Sequence, residues 1–234
     1  MTRSGAARPW VLALDTATSR IVVAAGTPDG RVLRALDWPA GHRHGERLLP
    51  GVEQLLAETG LAQTDLVGIV VGIGPGAFTG LRVGLATAKT LAHALAVPLA
   101  GVGTGTALLR AAAADRAVPT AVAKLVLLLP AGPHDRVEVR DGGLARLLPG
   151  GAEPVLESGH VLVAVDLAGR APEDALALGE AAQAGLAANL LQLGAERLRA
   201  GTGDDPAALV PEYVTLPRGV RVASGEVEWS HGPR

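Results

Sequence analysis

Gly72-Ile73-Gly74-Pro75-Gly76-Ala77-Phe78-Thr79-Gly80-Leu81-Arg82 joins an apolar run to a helical pattern, and the architecture of the chain follows from it. Four glycines and one proline fall between Gly72 and Gly80. Glycine loses more backbone freedom on folding than any other residue, so this density is expected where positive φ is needed or where another group comes very close. The preceding run, 66–71, is apolar, β-rich and without helical period, which predicts a strand buried on both faces. From Gly80 onward Leu81, Leu85, Ala88, Ala92 and Leu95 recur at steps of four and three, which predicts one face of a helix.

Upstream of this kernel, two β-rich runs at 10–15 and 20–26 are joined by Asp15-Thr16-Ala17-Thr18-Ser19, and a third at 31–37 follows Pro28-Asp29-Gly30. They predict a three-stranded meander. Between 42 and 59, Leu48, Leu49, Val52, Leu55 and Leu56 fall on a helical face, with Pro50 placed near the first turn or at a kink. Downstream, 97–102 reads as a strand and 106–114 as a helix, so the first half has the order βββαβαβα. After the breaker-containing link 115–119, strands are expected at 121–129, 136–139 and 161–166. Helical pattern over 172–199 contains Gly179, Gly185 and Gly194, predicting two helices or one with a break. The tail after Gly201 reads as extended or mobile. At 234 residues the chain suits two lobes, an N-terminal one over 1–114 and a smaller C-terminal one over 115–234.

Gly80, Gly84, Ala88 and Ala92 repeat at steps of four. A glycine inside a helix costs roughly 1 kcal/mol relative to alanine, so Gly84 points to close packing by a neighbouring helix, and a second subunit is one candidate. The resulting interface set is Leu48, Val52, Leu55 and Leu56 on one helix with Gly84, Leu85, Ala88, Leu91, Ala92 and Leu95 on the other. The competing reading of the same faces is the chain's own core.

A net charge near −2 gives no broad basic surface for nucleic acid, and one Phe, one Tyr and three Trp are too few for a base-stacking platform. Direct RNA binding is not expected. The absence of cysteine excludes disulfides, thiolate metal sites and cysteine nucleophiles. The apolar stretch 10–14 is too short for a signal or a membrane span, so a cytoplasmic protein is expected.

Asp15, beside Thr16 and Thr18, ends the first strand, where a carboxylate can hold magnesium next to a phosphate or simply shape a turn. The glycine loop lacks the Lys-Ser/Thr of a P-loop, and Gly74, Gly76 and Gly80 do not have dinucleotide-binding spacing. His42, His44 and Glu46 stand two apart, which on a helix points them in different directions, so no metal site is read there. His93, His134 and His160 have no nucleophile or acid at diagnostic spacing, and no catalytic residue is assigned. Arg82 can bind an anion or pin the loop; pinning is the reading adopted.

Leu12-Ala13-Leu14-Asp15-Thr16-Ala17-Thr18, the stretch 44–50 and above all 72–82 resemble the bacterial TsaB family, formerly YeaZ, over residues 10–113. The family motif falls on Gly72, Gly74, Pro75, Gly76, Phe78, Thr79, Gly80 and Arg82, and Pro211-Glu212-Tyr213-Val214 resembles a further family element. The resemblance implies an α/β actin-like ATPase (ASKHA) fold, with two lobes of RNase H-like topology and mixed sheets flanked by helices. It implies a non-catalytic dimerisation subunit supporting the paralogous transferase TsaD, with the ATPase TsaE, in threonylcarbamoylation of tRNA adenosine 37. It also implies a homodimer when alone, contact with tRNA only through the complex, and an interface over the helices matching 47–59 and 80–95. No firm cofactor follows; weak ATP, ADP or magnesium binding belongs more naturally at the interface with the catalytic subunit. Departures lie in the second half, where 128–133 and Thr215 differ from the family pattern. The alternatives are an ATP-dependent phosphotransferase of the same fold using Asp15 and, from older family names, a glycoprotease-like metallopeptidase.

Overall fold

The apolar run before the glycine loop is an inner strand of a five-stranded sheet. In this computed structural model, residues 8–41, 43–115, 118, 124–140, 145–214, 220–223 and 226–229 are described. The chain opens with β1 (Trp10–Asp15), β2 (Arg20–Gly26) and β3 (Val32–Pro39), followed by α1 (His44–Thr59), a 3-10 turn (Gln63–Asp65) and β4 (Leu66–Gly72). α2 (Phe78–Leu95), β5 (Leu99–Val102) and α3 (Thr104–Ala113) complete this half. The strand order is β3-β2-β1-β4-β5. β1 pairs antiparallel with β2 and parallel with β4, the mixed RNase H-like arrangement.

A second sheet follows, with β6 (Lys124–Pro130), β7 (Arg136–Arg140), β8 (Arg146–Leu148) and β9 (His160–Ala164) in the order β8-β7-β6-β9. Its β6–β7 pair is antiparallel and its β6–β9 pair parallel, repeating the first four positions of the first sheet. This internal repeat is the actin-like architecture. The final helix, α4 (Glu173–Arg199), precedes a hairpin of β10 (Val220–Ala223) and β11 (Glu226–Trp229).

Alternation along the strands divides the apolar residues between two faces. Leu12, Leu14, Val23, Ile69 and Val71 face α1 and α2 with Leu48, Leu55, Leu85 and Ala88. On the opposite face Val11, Ala13, Val70 and Val102 meet α3 and α4, which in turn pack under Leu125, Leu127, Val137, Val139 and Val163 of the second sheet. One continuous core therefore lies between the sheets, with α3 and α4 as its filling.

Three expectations change. α4 runs unbroken through Gly179, Gly185 and Gly194, because each lies against a close neighbour: the Ala164 carbonyl, the Ala111 methyl and the Val70 side chain. Pro50 is accommodated in the second turn of α1 rather than the first, and the helix continues past it. The division at residue 114 is not a division of packing, since α4 covers both sheets and the segment after it returns to the first. There Arg197 makes two 2.9 Å bonds to Asp204, whose carboxylate also accepts the Gly101 amide at 2.7 Å. Burial pushes the Asp204 carboxyl up, but the Arg197 and Gly101 bonds together hold it below its ordinary value.

Candidate functional site

The glycines of the loop touch the chain's own first turn. A Cβ at Gly72 would collide with the Asp15 carboxylate, at Gly76 with the Ala17 carbonyl, at Gly80 with the Thr16 carbonyl, and at Gly84 with the Thr16 hydroxyl. Ala77 donates its amide to the Ala17 carbonyl at 2.7 Å, and the Thr16 hydroxyl donates to the Gly80 carbonyl at 2.7 Å. Gly74, at φ +109, precedes Pro75 and has a backbone shape that a side chain would strain. The close approach expected from the sequence is thus made by residues 15–17 of the chain's own first turn. The inner stripe Gly80, Gly84, Ala88, Ala92 faces the sheet and its turn, where small side chains bring α2 down onto backbone.

Asp15 is fully buried and both its oxygens are engaged: Oδ2 accepts the Thr104 hydroxyl at 2.6 Å and Oδ1 the Ala17 amide at 2.9 Å. The Thr104 hydroxyl in turn accepts the Gly74 amide at 3.2 Å. This buried relay ties β1, the glycine loop and the start of α3 together. Burial pushes the Asp15 carboxyl up to about 6, against the opposing Thr104 and Ala17 bonds. Thr16 and Thr18 are buried beside it, Thr18 closing the turn with the Arg20 amide at 3.2 Å. A magnesium ion does not fit at Asp15 as folded, because the carboxylate is fully buried and each of its oxygens is already held by a hydrogen bond within the chain. Among the described residues no group of three or more His, Cys, Asp and Glu is arranged to hold a metal.

Between the lobes, a cavity of about 610 Å³ is lined by Thr18, Ser19, His44, Phe78, Thr79 and Asp166, among others. Asp166 follows β9 as Asp15 ends β1, and it crosses to the other lobe. Its carboxylate accepts the Ser19 amide at 2.6 Å and the Ser19 hydroxyl at 2.5 Å. A turn amide of the kind that can receive an anion is therefore already occupied by the chain's own carboxylate. Asp166 holds φ +58, a conformation that Asp tolerates better than most side chains.

Arg82 pins neighbouring chain. Its guanidinium lies 3.7 Å from the Phe78 ring centroid and its Nε donates to the Tyr213 hydroxyl at 3.1 Å, while the Phe78 and Tyr213 rings are 5.1 Å apart. The single Phe and single Tyr of the chain thus meet on one cation, joining the two motif segments.

The helix-face interface read from the sequence needs correction. Leu48, Val52, Leu55, Gly84, Leu85, Ala88 and Ala92 are buried in the chain's own core and present nothing to a partner. Leu56, Leu91 and Leu95 are half-buried at its edge. The outward side of the pair carries Leu49, 49% exposed, on α1, and Ala86, Thr90 and Ala94 on α2. These repeat at steps of four, opposite the inner stripe; the pattern is in the sequence, but the glycines drew attention to the other face. His44 is buried and held at 3.3 Å from the Thr18 carbonyl, whereas Glu46 and His93 are exposed. His42, Thr215 and Arg218 lie outside the described residues. Sequence reasoning passed over Thr104, placed before the expected helix start, and took Asp166 only as the end of a strand, although a strand-end Asp in each half was a usable signal.

Residues 39–195 match the family model described as TsaD, tRNA N6-adenosine threonylcarbamoyltransferase. An uncharacterized protein of Mycobacterium leprae is 45% identical over 95 residues, covering 39% of this chain and 26% of that protein. The Escherichia coli tRNA threonylcarbamoyladenosine biosynthesis protein TsaB is 38% identical over 94 residues, 40% of each. The chain thus spans less than half the length of these curated relatives. Among solved structures, YeaZ from Pseudomonas aeruginosa superposes with a TM-score of 0.68 at 26% identity, covering 88% of this chain and 99% of that one.

Proposed function

This chain belongs to the TsaD family, in the branch whose relatives are called TsaB or YeaZ, and from that membership we propose a non-catalytic subunit supporting a TsaD transferase in threonylcarbamoylation of tRNA adenosine 37. The observation that supports this reading is the sealed Asp15: the carboxylate that ends β1 is fully buried and spent on holding the glycine loop, and the second strand-end carboxylate, Asp166, is spent on Ser19. A phosphotransferase or metallopeptidase has no observation of its own in the geometry. The subunit engages TsaD through the outward side of α1 and α2, where Leu49, Ala86, Thr90 and Ala94 let a second helix pair approach. The same surface forms a homodimer when the transferase is absent. TsaE joins the resulting complex, tRNA is met through it, and ATP, ADP or magnesium binds at the junction with the catalytic subunit. No helix among the described residues is long and apolar enough to cross a membrane, and the proposed role places the protein in the cytoplasm.

The test is co-elution on a sizing column with the TsaD paralogue of the same organism. Ala86→Arg, at an exposed position, is expected to keep the circular dichroism spectrum and weaken association at least tenfold. Association undiminished by Ala86→Arg and by Leu49→Glu would remove the helix-pair interface. No association of the parent chain at all would remove the scaffold reading.

A further inference from the structure

A cavity of about 850 Å³ lies away from the interlobe cleft, between the C-terminal part of α3, the first residues of β6 and β9, the end of β7 and α4. We propose that it binds a small amphiphilic anion, a molecule with a phosphate or carboxylate on an apolar body. Its volume is in the range of small-molecule sites, and such sites combine apolar walls with a few placed polar groups. Leu109, Leu125 and Leu193 provide the walls. Arg110 and Lys124 line the same space, and neither has a side-chain hydrogen bond or ion pair among the described residues.

Arg140 adds a third cation, but it is committed: Nε binds Glu138 at 2.5 Å and Nη2 the Val155 carbonyl at 2.7 Å. His160 is oriented by accepting the Glu157 amide on Nδ1 at 2.8 Å, which leaves Nε2–H as its remaining donor. Glu157 is the only acid lining the cavity among the described residues. With Arg140 balanced by Glu138, Arg110 and Lys124 stand against Glu157 in a partly enclosed apolar space and favour a negative guest, since neither has a side-chain partner among the described residues. The apolar walls favour a small molecule with an apolar body over a nucleic-acid backbone. This site is separate from α1, α2 and Asp15, so its failure leaves the proposed scaffold role intact.

The experiment uses the full chain and 8-anilinonaphthalene-1-sulfonate, an aromatic sulfonate whose fluorescence rises on binding. One saturable site is expected, displaced by octyl phosphate or octanoate but not by octanol; the better competitor identifies the headgroup. Arg110→Glu with Lys124→Glu should weaken the probe at least tenfold, and Ala113→Phe, which puts a ring into the space, should do so without changing charge. Milder Arg110→Gln and Lys124→Gln replacements, with melting temperatures measured throughout, separate loss of the site from loss of fold. Absence of saturable binding at millimolar probe, displacement by octanol as readily as by the anions, or equal affinity in folded charge-reversed protein would each overturn the proposal.

Discussion

Asp15 carries a titration whose sign is set by its burial. Its carboxyl is raised from the ordinary 3.8 to about 6, so between those values the folded chain keeps a proton that the unfolded chain releases. Stability contributed by this group is therefore greatest below about pH 4, falls as pH rises through the window, and is level above it. The difference is on the order of 3 kcal/mol. Asp15→Asn removes the titration, so the gap between variant and parent unfolding free energies should change by about that amount from pH 4 to pH 7 in urea denaturation. Parallel pH profiles for the two proteins would mean that Asp15 is not titrating as placed. Glu138 runs the other way: burial raises it, but Arg140 and Arg146 together bring it below its ordinary value, and its contribution is lost as pH falls through that lowered value.

At the scale of the element, α2 separates the two jobs of small residues. Gly80→Ala drives a methyl into the Thr16 carbonyl and should cost about 3 kcal/mol, whereas Gly45→Ala in α1 meets nothing within 4 Å and should be neutral or stabilising by ~0.5 kcal/mol. Thermal melts of the pair check this, and equal effects would refute the packing explanation. The elements themselves were legible: short continuous apolar runs mark β1 and β4, which are covered on both faces, and apolar positions at steps of four and three mark α2, which has one buried face. What could not be read was what the buried direction meets. Gly80 and Gly84 signal close approach whether the visitor is a partner helix or, as found, the 15–19 turn. The glycines of α4 misled for the same reason, since a glycine that admits Val70 or the Ala164 carbonyl looks in sequence like one that ends a helix. β8, three residues long, is too short to show a period.

Across the whole molecule, the Ser19–Asp166 bonds join residues 147 apart in sequence and link the two lobes. Asp166→Ala should lower stability by about 1–3 kcal/mol, through loss of the charge-assisted bonds and an alanine placed at φ +58. Asp166→Gly loses the bonds but not the backbone fit, so it should cost less. In both, amide exchange should quicken at Ser19 while the interior of β1 stays protected; a Ser19 amide as slow as in the parent would show that the bridge does not hold the lobes. Asp166 was invisible as a bridge from sequence alone because only the folded topology brings the ends of β1 and β9 face to face.

α4 has a consequence for the order in which the molecule is made. The lower face of the first sheet, with Val11, Ala13 and Val70, is covered by a helix encoded after every strand of both sheets. A nascent chain emerging from the ribosome therefore carries that greasy surface only partly covered, by α3, until residues 173–199 are out, so the N-terminal half is completed only after the strands of both sheets have been synthesised.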